Sequence, residues 1–241
     1  KALLQRALEL AGVQGLGIAA VTAELARFEE DGTLLPLAAA ELVPGGSACW
    51  TTPGIAACEA SMLRAADRPG ERAWIEAAAG EAVRHAAGRD GVSLLEAGAG
   101  TGKTTTAKAL VDSAIRSKMT VIGLAPSWVA ADELAAATGI PAQAIARWRY
   151  THAQAAATRH PSASSPVQPL DPQTLILVDE AGMVATRDLE AILSAAKAAG
   201  AKVVLIGDRR QLASVGGASA LRAVAEVTGR SAVLGEVRRQ T

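Results

Sequence analysis

Residues 92–106 read VSLLEAGAGTGKTTT and set three glycines, Gly98, Gly100 and Gly102, just ahead of Lys103, Thr104, Thr105 and Thr106. Closely spaced glycines let backbone N–H groups converge on phosphate oxygens. An ammonium group at the end of such a loop offsets the phosphate charge, and the hydroxyl that follows it ligates Mg²⁺. Gly98, Ala99, Gly100, Thr101, Gly102, Lys103, Thr104 and Thr105 are therefore the candidate nucleotide cradle. Within it Lys103 reaches the β- and γ-phosphates and Thr104 is a Mg²⁺ ligand. The strict pattern asks for glycine five residues before Gly102, and this chain has Ala97 there. A pair of carboxylates, Asp179 and Glu180, ends the apolar run 175–178. A carboxylate so placed binds Mg²⁺ through water, and its neighbour orients and deprotonates the attacking water. A second apolar run, 203–206, ends in GDRRQL at 207–212, where Gln211 stands to report the γ-phosphate.

These groups need elements that bring them to one edge. Val92, Leu94 and Leu95 mark a buried strand before the glycines. Ala107, Leu110, Val111, Ala114 and Ile115 recur at helical spacing after them, in a helix expected over 103–116. Strand and helix patterns then alternate: strand 119–125, helix 128–137, strand 174–178, helix 186–198, strand 202–206, a helix near 217–227 and a strand at 231–235. Such alternation predicts a parallel sheet with helices on both faces, whose ligands sit at the C-terminal ends of the strands. The run 151–173, rich in Ala, Ser and Pro, predicts an exposed insertion or mobile loop.

Residues 1–70 form a block of a different kind. Leu3, Leu4, Ala7, Leu8 and Ala11 mark one helix, and Ile18, Val21, Leu25 and Phe28 a second that ends at Asp31-Gly32. A hairpin follows, with strands near 34–37 and 48–52 about Gly45-Gly46, and then a helix from Pro53 to about Ala66. The pattern suggests a small α+β, winged-helix-like domain, either touching DNA or capping the nucleotide-binding domain that follows. Asp67-Arg68-Pro69-Gly70 reads as its linker to a domain spanning 71–241.

Composition narrows the partners. Lysine plus arginine and aspartate plus glutamate both number 24, so no global positive field attracts nucleic acid and any such contact must be local. Two cysteines without a CxxC pair argue against a thiolate metal site and fit a reduced, cytoplasmic setting. No apolar run is long enough for a membrane span, and no signal sequence stands at the start. The chain opens at Lys1 without Met and stops directly after a functional-looking motif, which leads us to expect a fragment.

GAGTGKT, LAPSWVAADEL at 124–134, DEAGM at 179–183, GDRRQL at 207–212 and EVRRQ at 236–240 together resemble motifs I, Ia, II, III and IV of superfamily 1 helicases. The similarity is to the RecD-like branch, which includes the helicase regions of conjugative relaxases of the TraA and TrwC kind. The hairpin, Trp50-Thr51-Thr52 and the helix with Glu59 resemble the segment that precedes the motor in those relaxases. The resemblance implies a RecA-like P-loop NTPase fold, the first of two motor domains, using ATP and Mg²⁺ to translocate on and unwind DNA. It implies that Lys103 and Thr104 handle phosphate and metal, Asp179 binds Mg²⁺, Glu180 is the general base, Gln211 senses the γ-phosphate and Arg239 reaches the same phosphate. It further implies that Ser127 and Trp128 meet single-stranded DNA, and that Arg147 and Trp148, within RWRY at 147–150, do likewise.

Some family features are missing from these 241 residues. Ala79 stands where an adenine-reading glutamine is expected, and Ala144 where motif Ib carries threonine. Motifs V and VI, the second RecA-like domain and the relaxase nuclease have no counterpart in this stretch, so slow hydrolysis without unwinding is expected of it. Two other classes compete with the helicase: a P-loop kinase or signalling NTPase, and a DNA-binding or scaffolding module whose nucleotide site is idle. GDRRQL followed by an RRQ motif disfavours the first, and the intact set of site residues the second.

Overall fold

The computed structural model describes residues 23, 26–28, 30–37, 49–68, 81–98, 102–157, 169–208, 220–228 and 231–234. The chain divides into two compact units, 1–58 and 59–241.

In the first unit, helical residues up to Glu30 stop at the Asp31-Gly32 turn, where Gly32 takes φ 77° and Asp31 Oδ1 accepts the Thr33 N–H at 2.9 Å. Strands β1 (Leu35–Leu37) and β2 (Cys49–Thr51) pair antiparallel, with Leu35 opposite Thr51 and Leu37 opposite Cys49. This is the expected hairpin. Its turn and the helix expected near 3–11 lie outside the described residues. Thr52 Oγ1 accepts the Ile55 N–H at 3.3 Å and so caps α1 (Pro53–Ala66), with Pro53 at the first helical position.

The second unit contains a six-stranded, wholly parallel sheet. Its strands are β3 (Val92–Glu96), β4 (Thr120–Ala125), β5 (Ala142–Ala144), β6 (Thr174–Val178), β7 (Lys202–Gly207) and β8 (Ser231–Val233), in the order β5-β4-β6-β7-β3-β8. Strand alternation sends successive residues to opposite faces. Val92, Leu94, Ile122, Leu124, Ile176, Val178, Val203 and Leu205 meet α5 (Ile145–Ala157), α6 (Thr186–Ala199) and α7 (Ala220–Thr228), together with Met62, Ala65 and Ala66 of α1. Leu95, Val121, Leu175, Leu177, Val204 and Ile206 meet α2 (Glu81–Ala86), α3 (Lys103–Arg116) and Leu134 of α4 (Trp128–Thr138). The expected α/β architecture, a parallel sheet between helical layers, is therefore what the chain forms.

Two expectations are corrected. Residues 151–157 continue α5 and are not a loop, and a turn precedes Thr174; residues 158–168 lie outside the described residues. Arg68 does not behave as part of a free linker. Its guanidinium donates to the carbonyls of Ala196 (3.3 Å), Gly91 (2.9 Å) and Ala201 (2.9 Å), tying the end of α1 to the N-terminal end of the sheet.

At the same end Lys202 is fully buried. Its Nζ donates to the carbonyls of Gly88 (3.2 Å) and Asp90 and meets Ser93 Oγ at 2.8 Å. A neutral amine satisfies this site by donating to both carbonyls and accepting the Ser93 O–H; an ammonium does so by donating three times. Burial, opposed by Asp90 and aided by Arg68, lowers its pKa from 10.5 to about 7. Between those two values the unfolded chain holds the extra proton. Stability therefore rises with pH across the window and falls back toward pH 7, at up to about 1.4 kcal/mol per pH unit. Denaturant midpoints at pH 7 and 9.5 should show this rise in the parent and a flatter response in Lys202→Met.

Candidate functional site

All six strands run the same way, so β3, β4, β6 and β7 deliver their C-terminal residues to one edge. The candidate phosphate-binding loop leaves β3 there. Ala97 is buried, its methyl packed in the core with Leu95 and Ala107, and its N–H donates to the Gly207 carbonyl at 3.0 Å. Alanine at that position therefore fits the strand end without needing glycine's freedom. Gly102 takes φ 84°, a left-handed conformation costly for any side chain, and turns the chain directly into α3 at Lys103. Its carbonyl accepts the Thr106 N–H at 2.9 Å, which starts the helix. The N–H groups that open α3 thus face the same edge as Lys103, which is half-buried, and Thr104 and Thr105, which are exposed. Gly98 lies just after β3; Ala99, Gly100 and Thr101 are outside the described residues.

The carboxylates leave β6, separated from β3 by β7 alone. Asp179 prolongs the ladder by donating its N–H to the Leu124 carbonyl at 2.9 Å, and its Oδ1 accepts the Glu180 N–H at 2.8 Å. Glu180 takes φ 49°, ψ 37° and opens a single 3₁₀ turn, Ala181–Met183, closed by Met183 N–H on the Glu180 carbonyl at 2.9 Å. A non-glycine residue held left-handed costs on the order of 1 kcal/mol and tends to mark a working site. Both carboxylates are half-buried at the mouth of the edge.

A hydroxyl and a carboxylate are hard oxygen donors of the kind Mg²⁺ accepts when phosphates and waters complete its shell. The described residues contain no cluster of three or more metal-ligating side chains. Thr104 and Asp179 fit that role. Gln211 and Arg239, expected at the γ-phosphate, lie outside the described residues.

The expected DNA contacts separate into two groups. Ser127 Oγ caps α4 by accepting the Ala130 N–H at 3.1 Å, which leaves its O–H as a donor. Trp128, first residue of α4, is 52% exposed, and Arg147 of the first turn of α5 lies over its ring with Cζ 5.4 Å from the centroid. These two helices start where the adjacent strands β4 and β5 end, so a flat aromatic face and a cation stand side by side on the sheet's working edge. Trp148 is a correction. It is 2% exposed in the core and stacked on His152 at 4.8 Å, and so offers no face to a base. The reason is helical geometry: 100° per residue turns Trp148 inward and Arg147 outward, while Arg149 pairs with Asp188 at 2.5 Å. Sequence reasoning assigned no role to Gly182 or Gly207, whose backbones meet beneath the carboxylates.

Comparison with known proteins adds an independent line. Residues 76–241 match the family described as "AAA domain". The chain is 32% identical over 148 residues to a "Probable conjugal transfer protein TraA" of Sinorhizobium fredii, an alignment covering 61% of this chain and 12% of that protein. It is 32% identical over 228 residues to an "ATP-dependent RecD2 DNA helicase" of Deinococcus radiodurans, covering 84% of this chain and 29% of that protein. A solved Pif1 helicase from Candida albicans is similar with TM-score 0.43 and 21% identity over 62% of this chain and 37% of that one. The chain thus spans a small part of the length of the curated relatives it matches.

Proposed function

The chain belongs to the AAA-domain family, and on that premise we propose that it is the ATP-binding motor domain of a DNA helicase that couples hydrolysis to movement on single-stranded DNA, working in the cytoplasm as part of a conjugative-transfer relaxase. The observation that supports this best is the meeting, on one sheet edge, of a phosphate loop, a carboxylate pair and an exposed tryptophan under an arginine. A kinase or signalling NTPase accounts for the first two features and leaves the third without a purpose.

In this proposal Lys103 and the N–H groups opening α3 hold the triphosphate of ATP. Thr104 and Asp179 hold Mg²⁺, which supplies charge neutralisation on the β- and γ-phosphates when bound. Glu180 takes the proton of the attacking water, and the Asp179 carboxylate fixes its backbone through the 2.8 Å hydrogen bond. Gln211 and Arg239 complete the γ-phosphate shell. Trp128 stacks on a base, Arg147 holds the ring and meets a phosphate, and Ser127 donates to the strand.

Stacking on an aromatic side chain is worth roughly 1–3 kcal/mol per base, so Trp128→Ala should weaken binding of a single-stranded oligonucleotide about tenfold or more. The whole chain is electrically neutral, so binding should be weak and should fall as salt rises, with a slope set by the few phosphates contacted. Fluorescence anisotropy across a salt series measures both, and an affinity unmoved by the substitution would return Trp128 to a purely structural role.

A further inference from the structure

Gly207, the last residue of β7, stands where three segments of the site meet. Its carbonyl accepts the Ala97 N–H at 3.0 Å, immediately before the phosphate loop. A Cβ built on it would lie 2.8 Å from the Gly182 nitrogen, 3.1 Å from the Ala181 nitrogen and 3.2 Å from Leu221 Cδ2. From the opposite side, a Cβ on Gly182 would lie 2.7 Å from the Asp208 carbonyl oxygen. Separations under 3.0 Å are closer than real Cβ atoms come, and the nearest obstacles are backbone atoms, which cannot rotate aside. Two stretches of main chain therefore touch with no side chain between them.

The turn held by this clasp is short. Glu180 opens it in a left-handed conformation, Ala181 is fully buried, and Met183 closes it onto the Glu180 carbonyl. Any shift at Gly182 reaches Glu180 through one residue that has no room to absorb it.

We propose that Gly182 and Gly207 are positioning residues: their backbone contact sets where the Glu180 carboxylate stands relative to the phosphate loop, which is tied to the same Gly207 through Ala97. The proposal rests on Glu180 being the base. Lys103 and the start of α3 are held separately, so a forced opening of the clasp should disturb hydrolysis and spare nucleotide affinity.

The test is steady-state hydrolysis of Mg²⁺–ATP by the parent chain, Gly182→Ala and, as a control, Gly54→Ala, an exposed helical position where a Cβ meets nothing. A misplacement of about 1 Å in a reacting group can cost around a hundredfold in rate. We expect Gly182→Ala to lose roughly ten- to a hundredfold in kcat with KM and calorimetric ATP affinity within about twofold, and Gly54→Ala to lose neither. A loss confined to stability would leave kcat of the folded fraction unchanged, which overturns the proposal. Should Gly182→Ala fail to fold, Ala181→Gly carries the same expectation, because it loosens the link between clasp and carboxylate without adding an atom. A Glu180→Gln variant that hydrolyses ATP as fast as the parent removes Glu180 as base and the proposal with it. A parent that is active beside an equally active Gly182→Ala removes the proposal alone.

Discussion

Glu180→Gln is expected to slow ATP hydrolysis by about 10²- to 10⁴-fold while leaving nucleotide affinity within a factor of a few. Glutamine keeps the size of the side chain and the left-handed backbone at φ 49°, so the 3₁₀ turn and the Asp179 hydrogen bond survive. What disappears is the group proposed to take a proton from water. The phosphate loop lies on β3 and α3, away from the substitution, and continues to bind. Single-turnover hydrolysis together with calorimetry separates the two quantities. A variant that turns over at the parent rate would sink the assignment of Glu180.

Much of the arrangement behind that expectation is legible in the sequence. The runs at 92–96, 174–178 and 202–206 are continuous because those strands are buried on both faces, and short punctuated runs of this kind identify a parallel sheet. Helix α3 is read correctly to its ends, because an apolar stripe of Ala107, Leu110, Val111 and Ala114 lies between a glycine start and a polar stop. Ile115 was placed on the same stripe and is 55% exposed, since the eighth residue has rotated off the buried line.

The rest was hidden for physical reasons. Residues 151–157 have no apolar periodicity, so their composition suggests a loop, yet alanine is the strongest helix former and carries α5 through them. RWRY looks like an interleaved nucleic-acid patch as a string of letters, and only the helix's rotation reveals that Trp148 faces inward. Lys202 at the start of an apolar run reads as a polar boundary; the carbonyls of Gly88 and Asp90 that enclose it come from a loop more than a hundred residues away. The Gly182–Gly207 contact leaves no pattern in either segment, because what matters is the absence of side chains where two distant stretches cross.

Lys103→Ala is the second large effect. Backbone N–H groups and the end of α3 provide partial charges, whereas the triphosphate needs a full one, and a charge-assisted contact of this kind is worth roughly 3 kcal/mol. Mg²⁺–ATP affinity should fall about a hundredfold, with the fold intact because Lys103 is half-buried at the first position of α3 and is not among that helix's buried residues. Titration calorimetry on parent and variant decides it, and equal affinities would remove the phosphate-loop assignment.

The central claim is that the nucleotide site and the Trp128–Arg147 edge belong to one motor, so that a single strand lying on the second changes the chemistry at the first. Steady-state hydrolysis of Mg²⁺–ATP with and without a saturating single-stranded oligonucleotide tests this most directly, in the parent and in Trp128→Ala. Slow turnover is expected, accelerated by the oligonucleotide in the parent and accelerated much less in the variant. Turnover that is the same with and without the oligonucleotide would contradict it, and would mark the chain as a P-loop NTPase of another kind.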